Sequence, residues 1–294
     1  MRVADNQVYN SIIYSMKKNM DEYYRMNEKI ASGKEINRPS DDPSGTGLVM
    51  RFREQIDSLE QYGKNIQHAK AFLSQVDISL GSVTDLLISA KETALLAANS
   101  TRSSDNLAIM ADKVSALKDQ VIQQANARMD DQYIFAGFDM GSQPYDSSGT
   151  YQGDSGEISV RINKSSTLKL NFPGDQVFGT AGGGVDVFQT LSDLETALKT
   201  NDMDGIHKSI GNLDQAMAQI NVVRSKSGYR INQLDNSSDA LDQRIFENKE
   251  QISTAEDLDV SEAYMKFQKQ EFLLKSVMAS SAKLLQTNLL NFLQ

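Results

Sequence analysis

Two histidines, His68 and His207, and the adjacent pair Asp41-Asp42 are the residues of this chain best suited to proton transfer or metal ligation. A general base needs a partner within hydrogen-bond reach. A transition-metal site needs three or four converging donors. Each histidine stands next to an apolar stripe but off its face: His68 lies two positions after Ile66, and His207 directly follows Ile206. Both therefore read as solvated side chains. Cysteine is absent, which removes thiolate nucleophiles, thiolate metal sites and disulfides together. Serines are plentiful, but without a credible base they are not nucleophiles. The stretch around Asp41-Asp42 lacks the glycine spacing and Gly-Lys-Ser/Thr ending of a phosphate loop. Two adjacent aspartates before a proline are a weak metal signal. The residues predict no catalytic, cofactor or metal site, and no enzyme.

Charge and hydropathy narrow the partners. With 39 acidic and 30 basic residues the net charge is −9, and no basic run is long enough to form a patch. Such a chain repels a phosphate backbone, so nucleic acid is not an expected partner. The longest unbroken apolar run, Ala94 to Ala98, is far shorter than the roughly 20 residues of a transmembrane helix. The start, Met-Arg-Val-Ala-Asp-Asn-Gln, has no apolar core. Neither membrane insertion nor a cleaved signal peptide is expected.

The elements that carry these residues follow from glycine and proline. Residues 133–185 hold 10 of the 18 glycines and two of the four prolines, whereas 82–136 and 229–294 hold neither. Helices can be long where breakers are absent. From Leu48 a heptad runs through Phe52, Leu59, Ile66, Leu73, Leu80, Leu87 and Ala94, with Leu48, Gln55, Tyr62, Ala69, Val76, Val83, Ala90 and Ala97 as its second edge; only Gln55 among them is polar. This predicts a coiled-coil-like helix of roughly 75 Å at 1.5 Å per residue. A second helix follows with Leu107, Met110, Val114, Leu117 and Val121. The C-terminal half repeats the spacing from Ile206 to Ile252, with Arg224, Ser227, Ser238 and Asn248 as polar seam positions that fix register. Its frame breaks at Asp257-Leu-Asp259. Short stripes then mark both ends: Tyr9, Ile13, Met16, Met20, Tyr23, Asn27 and Ile30, and Tyr264, Phe267, Glu271, Leu274, Met278, Ser281, Leu285, Asn288 and Phe292. Between the helical halves, Ile158, Val160 and Ile162, and then Leu168, Leu170 and Phe172, alternate with polar residues as half-buried strands do.

Ile30-Ala-Ser-Gly-Lys-Glu-Ile-Asn-Arg-Pro-Ser-Asp-Asp-Pro-Ser-Gly45 reads locally as a helix–loop–helix joint. Gly33 suits the left-handed position past a helix end. Asp42 suits an N-cap and Pro43 the first helical position. Tyr133, Phe135 and Phe138, with Gly137 among them, read as a hydrophobic anchor where the glycine-rich segment begins.

These stretches also carry a resemblance. Ser32-Gly33, Ile36-Asn37, Asp41-Asp42 and Gly45 resemble the joint that links the terminal helix to the rod helix in the bacterial flagellin superfamily. Tyr133-Ile-Phe-Ala-Gly-Phe-Asp-Met-Gly-Ser-Gln-Pro-Tyr145 and Tyr151-Gln-Gly-Asp154 resemble motifs of its hook–filament junction branch, the hook-associated proteins 3. Arg224-Ser-Lys-Ser-Gly-Tyr-Arg-Ile-Asn-Gln-Leu234 and the ending Asn288-Leu-Leu-Asn-Phe-Leu-Gln294 are similar to the same family.

The resemblance implies a non-enzymatic structural protein without cofactor, secreted unfolded through the flagellar type III export apparatus with an export chaperone. It would polymerise with itself in a ring at the hook–filament junction, between hook-associated protein 1 and flagellin. Flagellin itself, the bulk filament subunit, is the alternative reading. The expected fold is mainly α with a β-rich insert: an elongated antiparallel coiled-coil-like rod made by the N- and C-terminal halves, with a small β domain in the middle. The expected segments are an assembly segment and joint (1–45), two rod halves (46–132 and 186–257), the insert (133–185) and a C-terminal assembly helix (258–294). The expected assembly interface is Tyr9, Ile13, Met16, Met20, Tyr23, Ile30, Tyr264, Phe267, Leu274, Met278, Leu285 and Phe292. The expected joint residues are Gly33, Asn37, Asp41, Asp42 and Pro43. Because two short amphipathic helices bury little surface, both ends are expected to be weakly ordered until neighbours cover them.

Overall fold

The computed structural model describes residues 2–99 and 104–292, and the side chains of residue 7 and of residues 9–99 and 104–283. The element order is α1 (Arg2–Ser32), α2 (Pro43–Ala98), α3 (Ser104–Ala125), β1 (Arg128–Met129), β2 (Gln132–Tyr133), β3 (Ser159–Arg161), β4 (Thr167–Lys169), α4 (Gly174–Val177), a 3₁₀ turn (Thr180–Gly182), α5 (Val187–Thr200), α6 (Met203–Glu256) and α7 (Val260–Phe292). The chain is mainly helical with a small inserted sheet. It forms two compact units, Met1–Ser58 with Arg244–Gln294, and Leu59–Gln243.

In the unit Leu59–Gln243 the heptad buries its face. Leu73, Val76, Leu80, Val83, Leu87, Ala90, Ala94 and Ala97 are all fully buried. Cross-links fix an antiparallel register of α2 against α6: Lys70 with Asp235, Asp77 with Arg224 (2.9 Å) and Lys91 with Asp214. The polar seam residue Ser227 donates to the Leu73 carbonyl oxygen (3.2 Å), so a buried hydroxyl is satisfied by the facing backbone. On the other side, Ser79 donates to the Gln124 carbonyl of α3 (2.8 Å). By length and composition alone α2 is apolar enough to cross a membrane. Its core-facing residues, such as Leu73, Leu80 and Leu87, are buried in this cluster, whereas Ile78, Ile88, Leu95 and Leu96 are exposed.

The insert, expected as a small β domain in the middle of the chain, carries short antiparallel ribbons. Ser159–Arg161 and Thr167–Lys169 do pair antiparallel, Val160 opposite Leu168, and Arg128–Met129 pairs with Gln132–Tyr133. Ribbons of two or three residues have too little apolar face to close a core of their own. Phe135, Tyr145, Ile162, Leu170, Phe172 and Phe178 instead join the same buried cluster as the helices. The alternation of Ile158, Val160 and Ile162 was a true strand signal, but the strands serve as a flap on the helical core.

In the unit Met1–Ser58 with Arg244–Gln294, α1 and α7 pair antiparallel. Gln270 donates to the Asn19 carbonyl (3.1 Å), and Tyr23 stacks on Phe267 at 5.0 Å. Among the described side chains none of α1 is buried, and in α7 only Ala263 and Ser281 are. Burial this thin predicts easy local opening. Amides of α1 and α7 in the free protein should exchange at least about a hundredfold faster than those of residues 66–97, as local stability varies within one fold. Equal protection in a hydrogen-exchange measurement would show a preformed terminal bundle and end this expectation.

Candidate assembly interface

The joint is built by short side chains turning onto their own backbone. Gly33 ends α1 at φ +71°, its N–H donating to the Lys29 carbonyl (2.9 Å). Asp41 Oδ2 accepts from the N–H of Arg38 (2.9 Å) and, at 3.3 Å, of Asn37. The Asn37 amide donates to the Lys34 carbonyl (3.3 Å). Asp42 precedes α2, whose first residue is Pro43, and accepts the N–H of Ser44 at Oδ1 (3.0 Å), as an N-cap does. Replacing Asp42 by Ala should cost about 1 kcal/mol, the usual value of a lost cap. Chemical denaturation that leaves the midpoint unmoved would mean the α2 start does not depend on this bond.

One residue of this joint had no sequence signal. Glu256, the last residue of α6, is 8% exposed. It accepts from Lys34 (2.8 Å) and from Arg53 (2.6 and 2.9 Å). The surrounding backbone is bridged as well: Glu35 N–H donates to the Glu256 carbonyl (2.8 Å), and Leu258 N–H to the Gly33 carbonyl (3.0 Å). Burial by itself raises the Glu256 pKa, but the hydrogen bonds and charges of Lys34 and Arg53 outweigh it and hold the carboxyl below its ordinary value of 4.5. A depressed carboxylate contributes stability above its unfolded pKa and loses it as pH falls through the folded one. Glu256→Gln should therefore lower stability at pH 7 by about 1–2 kcal/mol, allowing for the exposed ends of Lys34 and Arg53. The loss should vanish in acid below the carboxylate range. Urea melts at pH 7 and pH 3 that show the same deficit would refute the pairing.

The terminal stripes are wider than the seam that α1 and α7 use. The half-buried positions of α1 include Ile12, Met16, Asn19, Tyr23, Met26 and Ile30; those of α7 include Ala263, Phe267, Gln270, Leu274, Val277 and Ser281, with Ala263 and Ser281 fully buried. Both sets keep four-three spacing. Of the expected interface residues, Met16, Tyr23, Ile30, Phe267 and Leu274 thus line the internal seam. Tyr9, Ile13, Met20, Tyr264 and Met278 lie outside it and are exposed. The side chains of Leu285 and Phe292 lie outside the described residues. Tyr14, Tyr24, Met265, Phe272 and Leu273, which the stripes did not contain, extend the exposed apolar surface of the two helices. A helix turned toward its neighbour by one edge leaves its other apolar edge outward.

The start of the insert is a second built feature, in the unit Leu59–Gln243. Phe135 and Tyr133 are buried as the anchor reading requires. Phe138 is not part of it: the side chain is 67% exposed, because its backbone is drawn to Asp154 instead. The Asp154 carboxylate accepts the N–H groups of Phe138 (2.9 Å), Asp139 (3.0 Å) and Gly156 (2.6 Å). These bonds, that of Phe138 foremost, hold its pKa below the usual carboxylate range. Tyr151 donates to the carbonyls of Asp154 (2.7 Å) and Phe135 (3.1 Å). The two motifs Tyr133–Phe138 and Tyr151–Asp154 are therefore one structure, each closing the other. Both histidines are exposed, and among the described residues no three acidic or histidine groups are placed to hold a metal ion.

This combination of paired terminal helices, a capped joint and an insert clamped onto a helical core defines a class of helical protein. Two family models match it: the bacterial flagellin N-terminal helical region over residues 3–139 and the bacterial flagellin C-terminal helical region over residues 210–293. The chain belongs to the bacterial flagellin family, and it is a structural component of the bacterial flagellum, not an enzyme. It is 23% identical to flagellar hook-associated protein 3 of Salmonella typhimurium, over 94% of both chains. It is 26% identical to flagellin FlaB2 of Treponema pallidum, over 89% of this chain and 87% of the relative. The crystal structure of flagellar hook-associated protein 3 from Legionella pneumophila superposes with a TM-score of 0.63 at 16% identity, covering 70% of this chain and 98% of that one.

Proposed function

We propose that this protein is the hook–filament junction subunit of the flagellum, polymerising in a ring through its terminal helices between hook-associated protein 1 and flagellin. The observation that carries assembly is the exposed apolar edge of α1 and α7, with Tyr9, Tyr14, Met20, Tyr264, Phe272 and Met278 outward. A monomer has no reason to leave such surface on paired helices, whereas a neighbour covering it would bury it. The thin packing of the same helices suits export of an unfolded chain through the type III apparatus, with an export chaperone shielding the ends. The clamp between Tyr133–Phe138 and Tyr151–Asp154 and the end-to-end likeness to hook-associated protein 3 favour the junction over the filament. The bulk-flagellin reading draws on the 26% identity to the Treponema protein. Immunogold labelling of sheared filaments separates the two: label confined to the hook-proximal end supports the junction role, and label along the filament overturns it. A gene deletion should leave hooks without filaments.

A further inference from the structure

The chain has no cysteine, so its twelve methionines carry all of its sulfur, and the fold sorts them by place. Among the described side chains four thioethers are exposed: Met20 (41%), Met50 (64%), Met265 (66%) and Met278 (54%). All four belong to the unit Met1–Ser58 with Arg244–Gln294. In the unit Leu59–Gln243 the five methionines, Met110, Met129, Met140, Met203 and Met217, are half-buried, each packed against the helical core.

Three of the exposed four lie on the terminal helices, Met20 on α1 and Met265 and Met278 on α7. They stand outside the half-buried seam that joins the pair and share the exposed apolar edge with Ile13 and Tyr264. A methionine suits a contact surface, because its unbranched, polarizable side chain adapts to the shape of a partner. In a chain without thiols, an exposed thioether is also the group that a mild peroxide attacks first.

We propose that Met20, Met265 and Met278 form a modification site whose oxidation by hydrogen peroxide prevents assembly. A sulfur lone pair attacks one peroxide oxygen. The O–O bond breaks, an S–O bond forms, and the proton of the transferred oxygen passes to the departing hydroxide, which leaves as water. Sulfur loses two electrons, the peroxide gains them, and the product at each position is methionine sulfoxide. The sulfoxide oxygen is a strong hydrogen-bond acceptor. A neighbour that covers an apolar side chain offers it no donor, and burying an unpaired polar group opposes association at every contact. The free protein bears no such cost, since all three side chains face solvent. The inference rests on the reading of α1 and α7 as the assembly surface, and it makes the oxidised chain one that folds but does not join.

The test starts with limited hydrogen peroxide treatment of the full-length protein, followed by peptide mass spectrometry. The four exposed methionines should be converted at least about fivefold faster than the five of the unit Leu59–Gln243, because exposure sets susceptibility. Protein treated to that point and freed of peroxide is then added to hooks isolated from the deletion strain, and tip binding is scored by immunogold labelling. Labelling should fall at least about tenfold against untreated protein, with the circular dichroism spectrum unchanged. Methionine sulfoxide reductases for both sulfoxide epimers should restore it, which separates oxidation from irreversible damage. Met20→Leu, Met265→Leu and Met278→Leu together keep the edge apolar and retain Met50; this variant should hold most of its own untreated labelling after the same peroxide dose. Should the leucines themselves impair labelling, reductase rescue of the unsubstituted chain decides. Equal oxidation of the core methionines, full labelling by the oxidised protein, no rescue by the reductases, or an equal loss in the triple variant overturns this proposal alone. No labelling by the untreated protein overturns the junction reading, and this inference with it.

Discussion

Replacing Tyr14 and Phe272 together by serine should abolish incorporation at the hook tip while leaving the free protein folded. Both rings are outward on the terminal helices, 71% and 69% exposed. An exposed side chain that touches little usually contributes within about 0.5 kcal/mol of stability. The same ring at the centre of an interface is worth about 2 kcal/mol or more when truncated. In the proposed ring that cost recurs at every contact, so two such losses suffice to prevent closure. The expected phenotype is hooks without filaments, with the variant recovered in the growth medium as a soluble chain of unchanged melting temperature. Ile109→Ser is the control, since Ile109 is equally exposed (67%) but lies on α3, in the unit Leu59–Gln243. Filaments of normal length from the double variant would show that the outer edge of α1 and α7 is not the assembly surface.

That prediction depends on a distinction the sequence blurred. Heptad spacing correctly marks Met16, Tyr23 and Ile30 as one edge of the α1 seam, but it offers two candidates for the other edge. Ile13 and Met20 are more apolar than the alternative that contains Asn19. The structure takes the latter, because Asn19 is satisfied by Gln270 across the pair. α7 repeats the choice, with Ala263 and Val277 inward in place of Tyr264 and Met278, while Gln270 and Glu271 are both half-buried. Hydrophobicity counts an apolar residue as inward whichever surface will cover it, so internal seam and external contact read alike. A similar one-residue offset occurs early in α2, where Val49 and Ile56 are buried and Gln55 is exposed.

Local signals were legible where local physics decides. Caps, the left-handed glycine and strand alternation involve residues within a few positions of one another, so Gly33, Asp42 and the alternation around Val160 and around Leu168 could be read directly. The long α2 face from Ile66 to Ala97 was legible because repetition averages out single exceptions. Glu256 was not, since its partners Lys34 and Arg53 stand 222 and 203 positions away and nothing nearby marks it for burial. The exposure of Phe138 was hidden for the same reason: the Asp154 carboxylate that fixes its backbone belongs to another motif.

The insert should be undone by one methyl group. Gly137 holds φ +87°, and a Cβ there would overlap the Asp154 carbonyl oxygen. Left-handed backbone strains any other residue by about 1–3 kcal/mol. Here the obstructing atom is backbone, so relief means moving the chain that carries Asp154. That movement breaks the three amide bonds to its carboxylate and the Tyr151 bond that closes the motif pair. Gly137→Ala should therefore destabilise the unit Leu59–Gln243 by roughly 3 kcal/mol or more, at the top of the range for a strained glycine position. Asp154→Asn retains one acceptor oxygen and should cost less. Because Phe135 and Tyr145 lie in the same buried cluster as the helices, the loss should appear in the cooperative melt of the helical core and not as a separate early transition. Circular dichroism at 222 nm and near-ultraviolet tyrosine signals should then fall together at a lowered temperature. A normal helical melt with an early tyrosine transition would mean the insert unfolds on its own, as a separate domain would.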